Sequence, residues 1–194
     1  MSSPSIPHGR LGVWIGPVQS GKTTSIIDKV GIAMKEKKII GCCKYAEDIR
    51  YDKGDRIITH DKFHVGCIPV HKIQQLPIEW FDPTCINIVF IDEAHFFQDL
   101  VEGVKKLLRA GVDVEIVGLL TDYKQDPFQP MLQVLPFASE IHKLEAICYF
   151  CQVPSSCSRL KFPGRDLPRL QDRKLIGGPD IWISTCAADA CLQD

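Results

Sequence analysis

Short apolar runs alternate with amphipathic stretches along most of this chain, and the pattern predicts alternating strands and helices. Residues 11–15 and 86–91 are continuous apolar runs, which are typical of strands buried on both faces of a sheet. Residues 22–37 and 97–110 instead repeat apolar side chains at helical spacing, and residues 112–120 return to a partly alternating strand pattern. We therefore expect an α/β fold, in which helices cover both faces of a parallel sheet.

The segments between these elements are less regular. Residues 38–43 and 63–70 have the composition of two further strands, and residues 131–138 that of a short helix. Residues 44–61 are charged and contain glycine, so we expect a loop there, and long loops inside a compact domain are often functional. Residues 121–130 predict a second loop.

A change of composition after Leu144 divides the chain. Residues 1–9 are polar and contain prolines, and we expect them to be disordered. Residues 10–146 carry the strand and helix pattern and would form the α/β domain. Residues 147–194 are rich in Pro, Arg and Gly and contain a pair of cysteines near their start, so we expect a small second domain there.

A glycine loop lies directly between the first apolar run and the first helix. The pattern Gly16-x-x-x-x-Gly21-Lys22-Thr23 has the spacing of a phosphate-binding loop, in which successive backbone N–H groups and the N-terminus of a helix face one anion. Lys22 would contact the outer phosphates of a nucleoside triphosphate, and the Thr23 hydroxyl would bind Mg²⁺. The candidate ATP-binding residues of this loop are Gly16, Pro17, Val18, Gln19, Ser20, Gly21, Lys22 and Thr23.

Two carboxylates follow the apolar run that ends at residue 91. Asp92 would hold the hydrated Mg²⁺ beside the phosphate loop, which makes it part of the ATP site, and Glu93 would be available to accept a proton. The stretch Asp92-Glu93-Ala94-His95 also spells the motif of a helicase class. Helicases need two such domains and a basic groove, and this chain has neither the length nor the charge for them.

Nine cysteines are many for 194 residues. Their odd number and the lack of a secretion signal favour metal binding over disulfides. Cys148-x-x-Cys151 is half of a zinc knuckle, because two thiolates from one tight turn bind one face of a tetrahedral ion.

The second half of this zinc site is irregular. Cys186 and Cys191 are separated by a four-residue spacer, and Asp189 stands where the second cysteine of a regular pair would be. Either Cys191 or Asp189 would complete the site with Cys186. Cys157 is a further candidate ligand, and buried free cysteines are the alternative to a metal site.

Aromatic side chains also occur where packing alone explains them poorly. Tyr123 and Phe128 lie in the loop 121–130, and Trp182 lies in the polar tail. A flat ligand held between aromatic faces would account for them.

Charge and hydropathy exclude several classes of function. The chain carries 23 basic and 24 acidic residues, which gives no electrostatic case for a nucleic-acid partner. No apolar run approaches the length of a membrane span, and we expect no signal peptide and no membrane partner. Reduced cysteines make the cytosol the simplest compartment, and the nucleus and the cytoplasm of a virus-infected cell also fit.

With these motifs in order, the chain resembles the type II thymidine kinases, a family found in animals, bacteria and large DNA viruses. The resemblance spans residues 10 to 191. Its motifs are Gly16-Pro-Val-Gln-Ser-Gly-Lys-Thr23, Lys44-Tyr-Ala-x-Asp48-x-Arg50, Thr59-His60-Asp61, Ile91-Asp-Glu-x-x-Phe-Phe97, Pro127-Phe128, Lys143-Leu-x-Ala146, Cys148-x-x-Cys151, Ser158-Arg159-Leu160, Ile176-Gly-Gly178 and Cys186. The Asp-Glu-Ala-His-Phe-Phe variant is similar to members from large viruses.

The resemblance implies a P-loop NTPase-like sheet with a small C-terminal zinc-ribbon and lasso domain. It implies transfer of the γ-phosphate of ATP to deoxythymidine to give dTMP, with Mg²⁺ bound to ATP and a structural Zn²⁺. Glu93 would activate the 5′-hydroxyl, and Arg50, with Arg159, would neutralise the transferring phosphoryl group. The family also implies a homo-oligomer, as a dimer or tetramer, and feedback inhibition by dTTP.

The same resemblance assigns a nucleoside pocket, over which the tail between the cysteines would close as a lasso. The residues implied for its walls are Val18, Phe96, Leu119, Tyr123, Phe128, Leu175 and Trp182. The chain departs from the family at some of these positions. Trp182 stands where the family usually has Tyr, and Val18-Gln19 where it usually has Met-Phe.

Two other functions compete with the kinase at this point. One is a P-loop ATPase or nucleotide-binding regulator without nucleoside kinase activity, and the other is a non-catalytic scaffold whose pocket has changed. The joint presence of Lys22, Thr23, Asp92 and Glu93 favours the kinase.

Overall fold

Six parallel strands form the central sheet of the protein, in a computed structural model that describes residues 8–48, 55–58, 64–161 and 180–188. In chain order the strands are β1 (Leu11–Ile15), β2 (Ile40–Tyr45), β3 (Arg56–Ile58), β4 (His64–Gly66), β5 (Ile68–Val70), β6 (Ile88–Asp92), β7 (Asp113–Gly118), β8 (Glu140–Lys143), β9 (Ala146–Ile147), β10 (Pro154–Ser155), β11 (Cys157–Leu160) and β12 (Trp182–Thr185). The α-helices are α1 (Lys22–Lys35), α2 (Leu100–Arg109) and α3 (Gln129–Val134), and short 3-10 segments occur at Ile73–Gln75, Ile78–Phe81, Ala94–Phe96 and Leu135–Phe137. The spatial order of the main sheet is β5-β2-β6-β7-β1-β8, and every neighbouring pair is parallel.

Helices cover both faces of this sheet, which confirms the predicted α/β fold. On β6, Val89 and Ile91 pack in one apolar cluster with α2 and α3, whereas Ile88 and Phe90 pack in a second cluster with α1. All four side chains are buried, as a continuous apolar run predicts for a strand covered on both faces.

The region predicted as one strand at residues 63–70 contains two. β4 and β5 lie on either side of Cys67, whose N–H donates to the Asp55 carbonyl at 2.8 Å. β5 joins the edge of the main sheet, and β4 pairs antiparallel with β3. β3 therefore occupies part of the segment 44–61, where we expected only a loop.

Proline and charge explain two other differences from the predicted elements. α3 ends at Val134 and a 3-10 turn follows, because Pro136 has no N–H with which to continue the α-helical pattern. β8 has the sequence Glu-Ile-His-Lys, and three of its four residues are exposed. No apolar run marks this edge strand, and the hydrophobic pattern did not predict it.

Beyond β8 the chain forms two antiparallel ribbons, β9–β10 and β11–β12. In the β11–β12 ribbon, Ser158 lies opposite Ser184, and Arg159 lies opposite Ile183. Among the described residues, no helix is both long and apolar enough to cross a membrane.

Candidate active site

The loop between β1 and α1 has the geometry that phosphate binding requires. Gln19 and Gly21 have left-handed φ angles of 60° and 79°, which curl the backbone. A Cβ at Gly16 would lie 2.6 Å from the Ser20 Oγ, whereas no atom of the described residues lies within 4 Å of a Cβ built at Gly21. The loop is therefore tightly packed at its start and open at the N-terminus of α1, where an anion would bind.

Two side chains of the loop fold over its own backbone. Ser20 Oγ donates to the Pro17 carbonyl at 2.8 Å, and Lys22 Nζ donates to the same carbonyl. This contact places the Lys22 ammonium beside the backbone that would surround the phosphates. Thr23 lies half-buried in the first turn of α1.

Asp92 and Glu93 follow one another at the carboxyl end of β6. Because the strands are parallel, this is the same edge of the sheet as the phosphate loop after β1. Asp92 is 4% exposed, and its Oδ1 accepts the Glu93 N–H at 3.0 Å. Glu93 has a left-handed φ of 52°, a conformation that strains a residue with a side chain and is common at functional sites. The Asp92 carboxylate and the Thr23 hydroxyl are oxygen ligands of the kind that Mg²⁺ prefers.

A buried histidine, which we did not assign to the site from the sequence, contacts both a carboxylate and the predicted pocket residues. His95 is 1% exposed, and its Nδ1 lies 3.5 Å from Glu93 Oε2. The same Nδ1 accepts the Leu119 N–H at 3.2 Å, so a neutral imidazole here carries its proton on Nε2. The ring centroid of His95 lies 4.0 Å from that of Phe96 and 4.6 Å from that of Phe128. In the sequence, the only feature that could have assigned His95 to the site is its position two residues after Glu93.

The structure thus brings Phe96, Leu119 and Phe128 together around His95. A second aromatic pair joins the loop after β7 to the tail, since the ring centroids of Tyr123 and Trp182 are 6.3 Å apart. Arg159 is half-buried on β11. The other two predicted substrate-site residues, Arg50 and Leu175, lie outside the described residues.

The β11–β12 ribbon also contacts the phosphate loop directly. The Val18 N–H donates to the Ser158 Oγ at 2.9 Å, and the Ser184 Oγ donates to the Val18 carbonyl. Gln19 Nε2 donates to the Trp182 carbonyl at 3.3 Å. Val18 and Gln19 of the phosphate loop therefore contact the tail.

Three of the predicted zinc ligands form a cluster. The sulfurs of Cys148, Cys151 and Cys186 all lie within 4.8 Å of one another, and those of Cys151 and Cys186 are 3.5 Å apart. This spacing suits zinc, because sulfurs about 2.3 Å from a tetrahedral ion lie about 3.8 Å apart. Cys157 is not part of the cluster, and the alternatives Cys191 and Asp189 lie outside the described residues.

Hydrogen bonds prepare one of these thiols for metal binding. Burial raises the pKa of Cys148, but donors from Cys151, Cys186 and Phe150 outweigh it and lower the pKa to about 6. The thiolate is the form of cysteine that binds a metal, so the three cysteines fit the predicted zinc ion. At Cys157 burial is the dominant effect, and the pKa of its thiol is raised.

Comparison with known proteins agrees with this arrangement. A family model described as thymidine kinase matches residues 9–190. A thymidine kinase of Pseudothermotoga lettingae is 33% identical over 179 residues, which cover 92% of this chain and 92% of that relative. Thymidine kinases of Aster yellows witches'-broom phytoplasma and Oryza sativa are 30% and 31% identical, over 96% and 95% of this chain and 89% and 67% of those relatives. The chain belongs to the thymidine kinase family.

Proposed function

We propose that this chain transfers the γ-phosphate of ATP to the 5′-hydroxyl of deoxythymidine, which gives dTMP and ADP. The observation that carries the proposal is the phosphate loop after β1 together with the carboxylates Asp92 and Glu93 at the same edge of the sheet, in a member of the thymidine kinase family. This combination supplies phosphate binding and a base, which phosphoryl transfer requires.

In this proposal, the phosphate loop and Lys22 bind the triphosphate through backbone N–H groups and one ammonium. Thr23 and Asp92 would hold the Mg²⁺, which neutralises charge on the β- and γ-phosphates when it is bound with ATP. The near-complete burial of Asp92 supports this role, because a carboxylate shielded from water binds a cation more strongly.

Glu93 would act as the general base. Its carboxylate accepts the proton of the 5′-hydroxyl as that oxygen bonds to the γ-phosphorus and the bond to the ADP oxygen breaks. The side chain is only 12% exposed, so little water competes for the carboxylate. Arg50 and Arg159 would stabilise the charge on the transferring group.

The thymine ring would lie among apolar and aromatic side chains. Packing of Phe96 and Phe128 against His95, and of Tyr123 near Trp182, supports such a pocket at the mouth of the phosphate loop. The residues proposed for its walls are Val18, Phe96, Leu119, Tyr123, Phe128, Leu175 and Trp182.

We also propose a structural Zn²⁺ bound by Cys148, Cys151 and Cys186, with Cys191 or Asp189 as the fourth ligand. It would close a zinc-binding and lasso domain at 147–194, after the α/β domain at 10–146. Assembly as a dimer or tetramer, inhibition by dTTP and a cytosolic location belong to the same proposal.

A phosphate-transfer assay tests this function. Radiolabelled ATP is supplied with each of the four deoxynucleosides, and with none. We expect labelled dTMP as the main product. Release of labelled phosphate at the same rate with and without a nucleoside would instead identify an ATPase, and no turnover with retained ATP binding would identify a regulator or scaffold.

A further inference from the structure

Two serine hydroxyls of the tail hold the backbone of one residue of the phosphate loop, Val18, through both its N–H and its carbonyl. The Ser158 Oγ accepts the N–H of Val18 at 2.9 Å, and the Ser184 Oγ donates to the carbonyl of Val18. These bonds connect positions that are 140 and 166 residues apart in the sequence.

The arrangement is built into the β11–β12 ribbon. Ser158 and Ser184 are directly opposite each other across the two strands, so their side chains project from the same face. They are 2% and 1% exposed, and water therefore does not compete for the hydroxyls.

Further hydrogen bonds fix the ribbon relative to the phosphate loop and to the loop after β7. Gln19 Nε2 of the phosphate loop donates to the Trp182 carbonyl at 3.3 Å, and Gln125 Nε2 of the loop after β7 donates to the Ser158 carbonyl at 2.9 Å. Gln19 itself is at φ 60°, so the residue held by the serines immediately precedes the left-handed turn of the phosphate loop. A change at Val18 would alter the direction of the N–H groups that follow it.

The ribbon is held at its other end by the cysteine cluster. Cys186 follows directly after β12, and the N–H of Tyr149, between Cys148 and Cys151, donates to the carbonyl of Ser184 at 2.9 Å. Ser184 thus contacts the cysteine knuckle through its backbone and the phosphate loop through its side chain.

We propose that Ser158 and Ser184 are positioning residues for the phosphate loop, and that through them the cysteine cluster sets the affinity for ATP. The proposal rests on the proposed function for the identity of the bound nucleotide. Neither serine needs to touch the nucleotide, because their effect is to hold the loop in its binding conformation before ATP arrives.

The test compares the Ser158→Ala/Ser184→Ala double variant with the wild type. The matched control is Thr185→Val, one residue along the same strand, which removes a buried hydroxyl that has no hydrogen-bond partner among the residues that the structure describes. The dissociation constant of Mg–ADP is measured by calorimetry, so the readout does not require turnover. We expect it to rise about tenfold in the double variant, the effect of two lost hydrogen bonds, and to stay within about twofold in the control.

A second arm tests the connection to the cysteines. Treating the zinc-loaded wild type with a chelator should raise the dissociation constant of Mg–ADP by a similar factor. In the double variant the same treatment should raise it by less than about a further twofold, because the serines that connect the cluster to the loop are already absent. Equal and additive effects in both proteins would show that the cluster does not act through the serines.

The outcomes separate this proposal from the proposed function. An active wild type and a folded double variant with unchanged Mg–ADP affinity would overturn the serine role and leave the kinase intact. A wild type without thymidine phosphorylation, but with weakened Mg–ADP binding in the double variant, would overturn the kinase and support the serine role. If the double variant does not fold, each single variant decides by the same measurement, with an expected rise of about threefold.

Discussion

At the scale of single residues, the backbone of Glu93 is an unusual feature of the site. Its left-handed φ of 52° costs a non-glycine residue on the order of 1–3 kcal/mol. The turn places the carboxylate beside His95 at the end of β6, with Asp92 accepting its N–H. The surrounding contacts maintain a conformation that the residue would not adopt by itself.

We expect Glu93→Gln to bind ATP and thymidine normally but to lose turnover by a factor on the order of 10²–10⁴, because the amide fills the same space and cannot accept the hydroxyl proton. Single-turnover phosphate transfer and Mg–ADP calorimetry measure the two properties separately. Turnover close to that of the wild type would remove Glu93 from the role of base.

His95 gives a second prediction at this scale. His95→Leu leaves the part-buried N–H of Leu119 without its acceptor, which costs on the order of 1 kcal/mol, and it removes a support from one wall of the proposed thymine pocket. We expect the KM for thymidine to rise roughly tenfold and the KM for ATP to change less.

His95→Asn is the matched control, because its amide oxygen can replace Nδ1 as the acceptor. We expect it to recover most of the lost thymidine affinity. Equal KM values for the Leu and Asn variants would show that the hydrogen bond to Leu119 does not position the pocket.

At the scale of secondary-structure elements, a glycine sets how closely α2 approaches the 3-10 segment at Ile73–Gln75. Gly103 is buried on α2, and a Cβ there would lie 2.4 Å from Ile73 Cγ2. Ile73 is also completely buried in the apolar core.

Gly103→Ala should therefore destabilise the fold. Overpacking costs about 1–3 kcal/mol, and the better helix propensity of alanine offsets about 0.5–1 kcal/mol of that. The control is Gly31→Ala in α1, where nothing lies within 4 Å of the added methyl group and a gain of about 0.4–1 kcal/mol is expected. Urea unfolding of both variants gives the two free energies, and a Gly103→Ala variant as stable as the Gly31→Ala variant would contradict the packing argument.

The elements that could be predicted from the sequence are those whose hydrophobic pattern or motif lies within one contiguous segment. β1, α1 and β6 show apolar patterns within one segment, and the phosphate loop and the Asp92-Glu93 pair are contiguous. β8 is a polar edge strand, and it forms only because β1 is already present as its partner. The contact of Val18 with Ser158 and Ser184 was equally hidden, because no local pattern indicates which distant serine meets which peptide.

At the scale of the whole molecule, the cysteine cluster brings the start of the tail, at Cys148 and Cys151, beside the end of β12, at Cys186. Cys148 precedes β10 and β11, and Cys186 directly follows β12. A metal ion at this point would join the two ends in the folded state only, so its binding would add directly to stability.

We expect about one zinc per chain in the purified protein, and less than half of that in Cys148→Ser. The variant should also melt at a lower temperature, and chelator treatment should lower the melting temperature of the wild type but not of the variant. Cys85→Ser, at an exposed cysteine outside the cluster, is the control and should retain its zinc. Full zinc content in Cys148→Ser would mean that the metal is bound elsewhere.

The bond between Ser184 and Val18 also has a consequence for protein synthesis. The phosphate loop leaves the ribosome before its partner strand β12, because residues 16–23 precede residues 182–185 in the chain. Folding of the sheet begins on the nascent chain, but Ser184 can hold the loop only after translation has passed residue 184. If the serines position the loop as proposed, a chain that terminates before residue 184 contains the complete phosphate-loop sequence and binds ATP weakly.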